Sequence, residues 1–211
     1  MNVLILGANG QIARYAIDLF LKDTNAKLTL YLRKADRLKR YKSDNVDVIE
    51  GDVLDYETLK QAMAGQDIVY ANLDGRMDEH AENIVKAMKE TNVKRLIFVG
   101  AYAIYDEVPG EFGRWNKQVI GAFLGPYRMA ADIIEDSDVD YTFIRPPWLI
   151  NDNEIEYETT DKSELFQGTV VSRKSVASLV VDIAENPELY LRKNIGINKP
   201  GSVPRDVKGF T

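Results

Sequence analysis

The chain has 211 residues, 45% hydrophobic and 28% charged, with a formal net charge of -6 and no cysteine. That length suits one large domain with a real core, and the acidic balance argues against nucleic acid and anionic membranes, because phosphate contacts need clustered Lys and Arg. The absence of cysteine excludes disulfides, thiol catalysis and Cys-ligated zinc, and it fits a reducing, cytoplasmic setting.

The elements alternate. Asn2–Leu6 reads as a buried strand and Gln11–Lys22 as a helix with Ile12, Tyr15, Ala16 and Leu19 on one face. Lys27–Leu32 and Val46–Glu50 are the next strands. Asp55 caps a predicted helix running to about Ala64, and Asp67–Ala71 is a fourth strand. A long helix is predicted over Asp78–Glu90 and a fifth strand over Arg95–Val99. From Gly100 to about Pro126 glycines recur at 110, 113, 121 and 125, so this stretch reads as loop-rich. A helix over Tyr127–Asp136 and a strand over Tyr141–Ile144 follow, and Arg145-Pro146-Pro147 ends that strand. Glu154–Thr160 and Thr169–Ser172 read as short extended pieces, Ser172 as the cap of a helix to about Glu185, and Asn194–Asn198 as a last strand before a polar tail. No run of about 18 apolar residues occurs and the first residues enter a strand directly, so neither a membrane span nor a signal peptide is expected.

Strands alternating with helices across short connections predict an α/β fold: a Rossmann-type, doubly wound parallel sheet. A single domain over residues 1–211 is expected, with residues 148–171 as a small lobe over the carboxyl edge of the sheet, the edge where such folds bind ligands.

The first strand–helix turn reads Gly7-Ala8-Asn9-Gly10-Gln11-Ile12-Ala13, or G-x-x-G-x-x-A. Gly7 suits a tight turn, Gly10 a close backbone approach to a pyrophosphate at the helix N-terminus, and Ala13 close packing of helix on strand. At the end of the second strand, an NAD site would carry Asp or Glu for the ribose 2′-hydroxyl. Here the residues are Tyr31-Leu32-Arg33-Lys34, with Arg37 one turn on and no carboxylate before Asp36. Arg33 can fork onto a 2′-phosphate and Lys34 adds a point charge, so NADP(H) is favoured over NAD(H). Asp52-Val53, after the third strand, suits an adenine: the carboxylate accepts from the exocyclic amine and Val53 packs on the ring.

GANGQIA, YLRK, GDVLDYETLKQAMAGQDIVY, VKRLIFVG and DVDYTFIRPPWL together resemble the NAD(P)-binding, NmrA-like branch of the atypical short-chain dehydrogenase/reductase superfamily. The resemblance runs from Met1 to about Leu149 and more loosely to Ile197. The GDVL…AGQD block and YRMAADIIEDSDVDY look most like the flavin reductase/biliverdin-IXβ reductase group. The resemblance implies NADP(H) with Gly7, Asn9, Gly10, Gln11 and Ile12 on the pyrophosphate, Arg33 and Lys34 on the 2′-phosphate, and Asp52 and Val53 on adenine. It puts Asn72 and Leu73 along the nicotinamide ribose and Pro146, Pro147 and Trp148 around the nicotinamide.

A typical member of that superfamily uses Ser, Tyr and Lys. Here the fifth strand ends Val99-Gly100-Ala101, with no hydroxyl; the lysine position is Arg128, four before Asp132, and four before Arg128 stands Leu124. Arg128 can bind ribose or phosphate but cannot act as a proton-transfer base. Tyr102, Tyr105 and Tyr127 remain as substitute donors, each as readily a packing residue. In the flavin-reductase-like group, hydride passes to a planar acceptor and solvent can supply the proton, chemistry that needs orientation more than an acid. Phe112 and Trp115 could stack on such an acceptor, with Arg114 on its phosphate or propionate, or could fold inward. His80, the sole histidine, reads as a solvated or capping residue, which leaves no His-based metal site or Ser–His triad in one chain. The acidic run Asn151–Glu156 lacks the pattern of a calcium loop, so no metal is expected. The expected reading is an NADP(H)-dependent oxidoreductase acting on a small planar acceptor, with a non-catalytic redox sensor as the alternative. A homodimer is compatible with an exposed helix pair, though nothing specifies one.

Overall fold

The computed structural model describes residues 1–209; residues 210 and 211 of the expected domain lie outside the described residues. Its order is β1 (Asn2–Leu6), α1 (Gln11–Asp23), β2 (Lys27–Leu32), a 3-10 turn (Ala35–Tyr41), β3 (Val46–Glu50), α2 (Tyr56–Met63), β4 (Ile68–Ala71), α3 (Met77–Thr91), β5 (Arg95–Val99), α4 (Gly110–Glu135), β6 (Asp140–Arg145), β7 (Trp148–Ile150), β8 (Glu158–Asp161), β9 (Val170–Ser172), α5 (Arg173–Glu185) and β10 (Lys193–Asn198). Among the described residues, no helix is long and apolar enough to cross a membrane.

Eight strands form one sheet in the order β3-β2-β1-β4-β5-β6-β10-β8, and β7 pairs β9 in a small parallel pair. All neighbours in the large sheet are parallel except β10 and β8. The central strands are apolar runs buried on both faces: β1 is NVLIL, β4 is IVYA and β5 is RLIFV. α1 turns Ile12, Ala13, Ala16, Ile17 and Phe20 onto one face of the sheet, where α5 adds Val176, Leu179, Val180 and Ile183. α2, α3 and α4 cover the other face, with Leu59, Met63, Ala81, Ile84, Met88, Ala130, Ala131 and Ile134. The chain runs outward from β1 through β2 to β3, then returns to β4 on the far side of β1. The reversal opens a crevice beyond the carboxyl ends of β1 and β4, the usual ligand position in such sheets.

Two sequence expectations are corrected. The stretch expected to be loop-rich is mostly α4, which starts at Gly110 and runs through Pro126 to Glu135, so the helix expected from Tyr127 is only its last third. Pro126 removes one backbone bond, to the carbonyl of Ala122, but the small residues Ala130 and Ala131 let α4 lie closely along α3, and that burial sustains the helix. The extended piece expected over Glu154–Thr160 is shorter and shifted: only Glu158–Asp161 pairs, and it joins the large sheet antiparallel to β10.

Candidate functional site

An open groove of about 940 Å³ lies at the switch point, lined by the Gly7–Gly10 turn, the β2 end from Tyr31 to Lys34 with Arg37, residues 51–54, and Asn72 to Arg76 with His80. At its centre, Gly7 has φ +72°, and a Cβ there would overlap the backbone carbonyl oxygen of Asn72. A Cβ on Gly10 would overlap the Asn72 side-chain amide. The two glycines therefore let the β1 turn close against the β4 end. Gly10 is the N-cap of α1, and that helix start has neither a side-chain cap nor an acidic residue in its first turn. Its leading N–H groups, on Gln11 and Ile12 among others, are left to an anion, as a pyrophosphate requires. The side chains of Gln11 and Ile12 do not line the groove: Gln11 is exposed and Ile12 is in the core. Asn9 accepts a hydrogen bond from Arg14 Nη2 at 2.7 Å.

At the β2 end, Arg33, Lys34 and Arg37 are all exposed and line the groove, and among the described residues none forms an ion pair. The nearby carboxylates are engaged elsewhere: Glu50 accepts from Ala35 N at 3.0 Å, and Asp36 pairs with Lys39. Asp52 Oδ1 accepts from Leu54 N at 3.0 Å, and Val53 is 4% exposed. Tyr31 donates from its hydroxyl to the Asp52 carbonyl at 2.9 Å; burial, then Asp55 and Asp52, push its pKa up to about 12. His80, also on the groove, is buried, not solvated and not a cap. Burial lowers its pKa below the ordinary histidine value. Asn72, Leu73, Asp74 and Gly75 complete the groove, and Arg76 pairs with Glu79.

Residues 7–187 match the family described as NAD(P)H-binding. The chain belongs to that family. A Rossmann-fold NAD(P)-binding family protein from Shigella flexneri is 47% identical, with 95% of this chain and 94% of that chain covered and a TM-score of 0.83. A short-chain dehydrogenase/reductase from Veillonella parvula, solved in complex with NADP, is 28% identical, with 95% of each chain covered and a TM-score of 0.89. An isoflavone reductase homolog from Nicotiana tabacum is 24% identical, with 96% of this chain and 69% of that protein covered. The resemblance read from GANGQIA and the later motifs is borne out, as is the Rossmann-type sheet.

In this NAD(P)H-binding chain the remaining candidates lie outside the groove. Tyr102 is 2% exposed and donates to Asn116 Oδ1, which also accepts from Trp148 Nε1 at 3.0 Å. Tyr105 donates to Glu135 Oε1 at 2.9 Å and accepts from Asn194 Nδ2 at 2.8 Å, with the Arg128 guanidinium 4.4 Å from its ring centre. Tyr127 donates to Asp74 Oδ1 at 2.8 Å, so it touches a residue of the groove wall. All three phenols have raised pKa values, first because they are buried, and for Tyr105 and Tyr127 also because a carboxylate holds the proton. Arg128 forms an ion pair with Asp132 one turn on, at 2.9 Å. Pro146 is buried and Trp148 half-buried. Phe112 and Trp115 sit on α4, not on a loop, and fold inward: their ring centres are 5.7 Å apart, and Trp115 packs on Trp148 at 5.4 Å. Arg114 is exposed and lies 3.8 Å from Glu111.

The groove also recruits residues not anticipated from the sequence: Tyr31, Gly51, Leu54, Asp74, Gly75, Arg76 and His80. For His80 a signal existed. It lies three residues after Met77 and four before Ile84, both buried, on the stripe that α3 turns inward.

Proposed function

We propose that the chain is an NADP(H)-dependent oxidoreductase of the atypical short-chain type, passing hydride to a planar acceptor such as a flavin or quinone. The observation that carries the choice of NADP(H) is the trio Arg33, Lys34 and Arg37, exposed on the groove without ion pairs among the described residues. The carboxylates beside it are engaged, Glu50 by Ala35 N and Asp36 by Lys39, whereas Arg33 can grip a 2′-phosphate with two parallel bonds. The NADP complex of the Veillonella relative agrees with this reading.

When bound, the nicotinamide supplies the hydride. The chain's own residues bind and orient. The uncapped start of α1 receives the pyrophosphate, Asp52 and Val53 hold the adenine, and Asn72 and Leu73 follow the nicotinamide ribose. Pro146, Pro147 and Trp148 would line the nicotinamide pocket, beside which the acceptor would stack. No Ser–Tyr–Lys set is needed if solvent delivers the proton, since the work is then orientation. A cytoplasmic location fits the absence of cysteine.

The test is NADPH oxidation with FMN as acceptor, with NADH and Arg33→Ala as controls. The wild type is expected to turn over with preference for NADPH. Arg33→Ala is expected to weaken NADPH about 10- to 100-fold, the range for one charge-assisted contact, and to leave NADH unchanged. Equal NADPH affinity in the variant would remove the 2′-phosphate assignment.

The engaged tyrosines favour a second reading, a dinucleotide-binding redox sensor without turnover. Such a sensor binds NADPH and NADP+ with different affinities, because a ligand pair without that difference shifts no equilibrium.

A further inference from the structure

His80 is the only histidine of the chain, 92% removed from solvent by its 8% exposure, yet it lines the groove. Its Nδ1 is buried and has no hydrogen-bond partner among the described residues. Buried polar nitrogens are almost always paired, so an unpaired one on a ligand groove calls for an explanation. Burying a lone pair costs less than burying an unpaired N–H, which puts the proton on Nε2. With Nδ1 enclosed and no partner recorded for Nε2, Nε2 is the nitrogen left to face the groove. The charged groups around the ring are Asp52, Arg76, Glu79 and Arg33, of both signs, and burial keeps the imidazole neutral. The Asp52 carboxylate, an acceptor, and Val53, an apolar contact, line the same groove.

A donor and an acceptor lining one groove match a base that offers both kinds of group. Adenine has a donor in its 6-amino group and acceptors at its ring nitrogens. We propose that His80 is a specificity contact for the adenine end of the bound dinucleotide, with Nε2–H donating to a ring nitrogen while Asp52 accepts from the 6-amino group. The proposal rests on the dinucleotide reading of the groove. It adds a second polar contact from α3 that none of the groove's sequence motifs includes.

Because the histidine is unique, its imidazole signals in a 15N-labelled, untagged wild-type chain need no assignment. Saturating 2′,5′-ADP is expected to shift the Nε2 signal, and NMN, which lacks adenine, to leave it in place. Titration calorimetry of the same ligands is expected to show 2′,5′-ADP bound about tenfold more weakly by His80→Leu, with most of the affinity restored in His80→Gln. His80→Leu without ligand is expected to melt at or above the wild-type temperature, since it removes an unpaired nitrogen from the interior. Imidazole signals unmoved by bound 2′,5′-ADP, or equal affinity in His80→Leu, would overturn the role of His80 alone. A wild type that fails to bind 2′,5′-ADP would overturn the dinucleotide reading itself, and the inference with it.

Discussion

His80 binds a proton less readily in the folded chain than in the unfolded one, because burial lowers its pKa below the ordinary value of 6.5. Where the unfolded state holds more protons, stability rises with pH. The contribution of His80 is therefore complete above about pH 6.5 and is lost as pH falls toward the folded-state pKa, at no more than about 1.4 kcal/mol per pH unit. Urea unfolding at stepped pH between 7.5 and 5.5 checks this: the wild type is expected to lose stability in that window, and His80→Leu to lose measurably less. A parallel decline in both proteins would show that other groups set the acid limb. Residues whose role depends on chain-local chemistry were legible in the sequence. Gly7, Gly10, Arg33, Lys34, Asp52 and Val53 were named from strand ends, Asn72 and Leu73 from the family resemblance, and all line the groove. His80 was not: its spacing from Met77 and Ile84 marks it as buried, but its place on the groove depends on how α3 packs, which no local motif encodes.

The same limit applies to elements. α1 and α3 were legible from apolar periodicity alone, and in α2 and α5 a capping residue agrees with it: Asp55 accepts from Thr58 N, and the buried Ser172 hydroxyl accepts from Ser175 N at 2.9 Å. α4 was not, because four glycines and Pro126 carry breaker signals that tertiary burial overrides. This yields a contrast between two of those glycines. A Cβ at Gly121 would meet only Lys117 Cγ at 3.4 Å, and one at Gly125 would meet nothing within 4 Å. Gly121→Ala is expected to stabilise by about 0.5–1 kcal/mol. Gly125→Ala is expected to gain less or to lose, because it precedes Pro126 and a Cβ before proline disfavours helical backbone. Chemical denaturation of the two variants decides, and a larger gain at 125 than at 121 would contradict the account.

Across the whole molecule, a parallel sheet with helices on both faces followed from the alternation of strands and helices, whereas the antiparallel β8 did not, since such an edge strand leaves no mark in a run such as Glu158-Thr159-Thr160-Asp161. A buried ion pair ties the loop after β5 to the end of β6 at the sheet's carboxyl edge. Arg145, at the end of β6, pairs with Glu107 in the loop before α4; the two side chains are 0% and 4% exposed. Glu107 also accepts from Ala103 N at 3.0 Å and Tyr105 N at 2.9 Å, while Arg145 Nε donates to Asn194 on β10 at 2.7 Å. The loop it holds includes two non-glycine residues in left-handed backbone, Ala103 and Asp106. Arg145→Ala is expected to cost about 3–5 kcal/mol, because it strands a buried carboxylate. The double change Arg145→Met with Glu107→Leu is expected to remain clearly destabilised, since two backbone N–H groups lose their acceptor. Near-wild-type unfolding of the double variant would show that the pair does not organise the loop.

The stack of aromatic rings beside β7 gives the chain an optical property. Its only two tryptophans are Trp115 and Trp148, with ring centres 5.4 Å apart. All tryptophan emission therefore originates from one patch, and the two indoles are close enough to act as a coupled chromophore. Tryptophan-selective fluorescence of the unlabelled chain thus reports on that patch alone, so a change in that signal is a change at the start of β7 and the first turns of α4, without dye, tag or engineered probe.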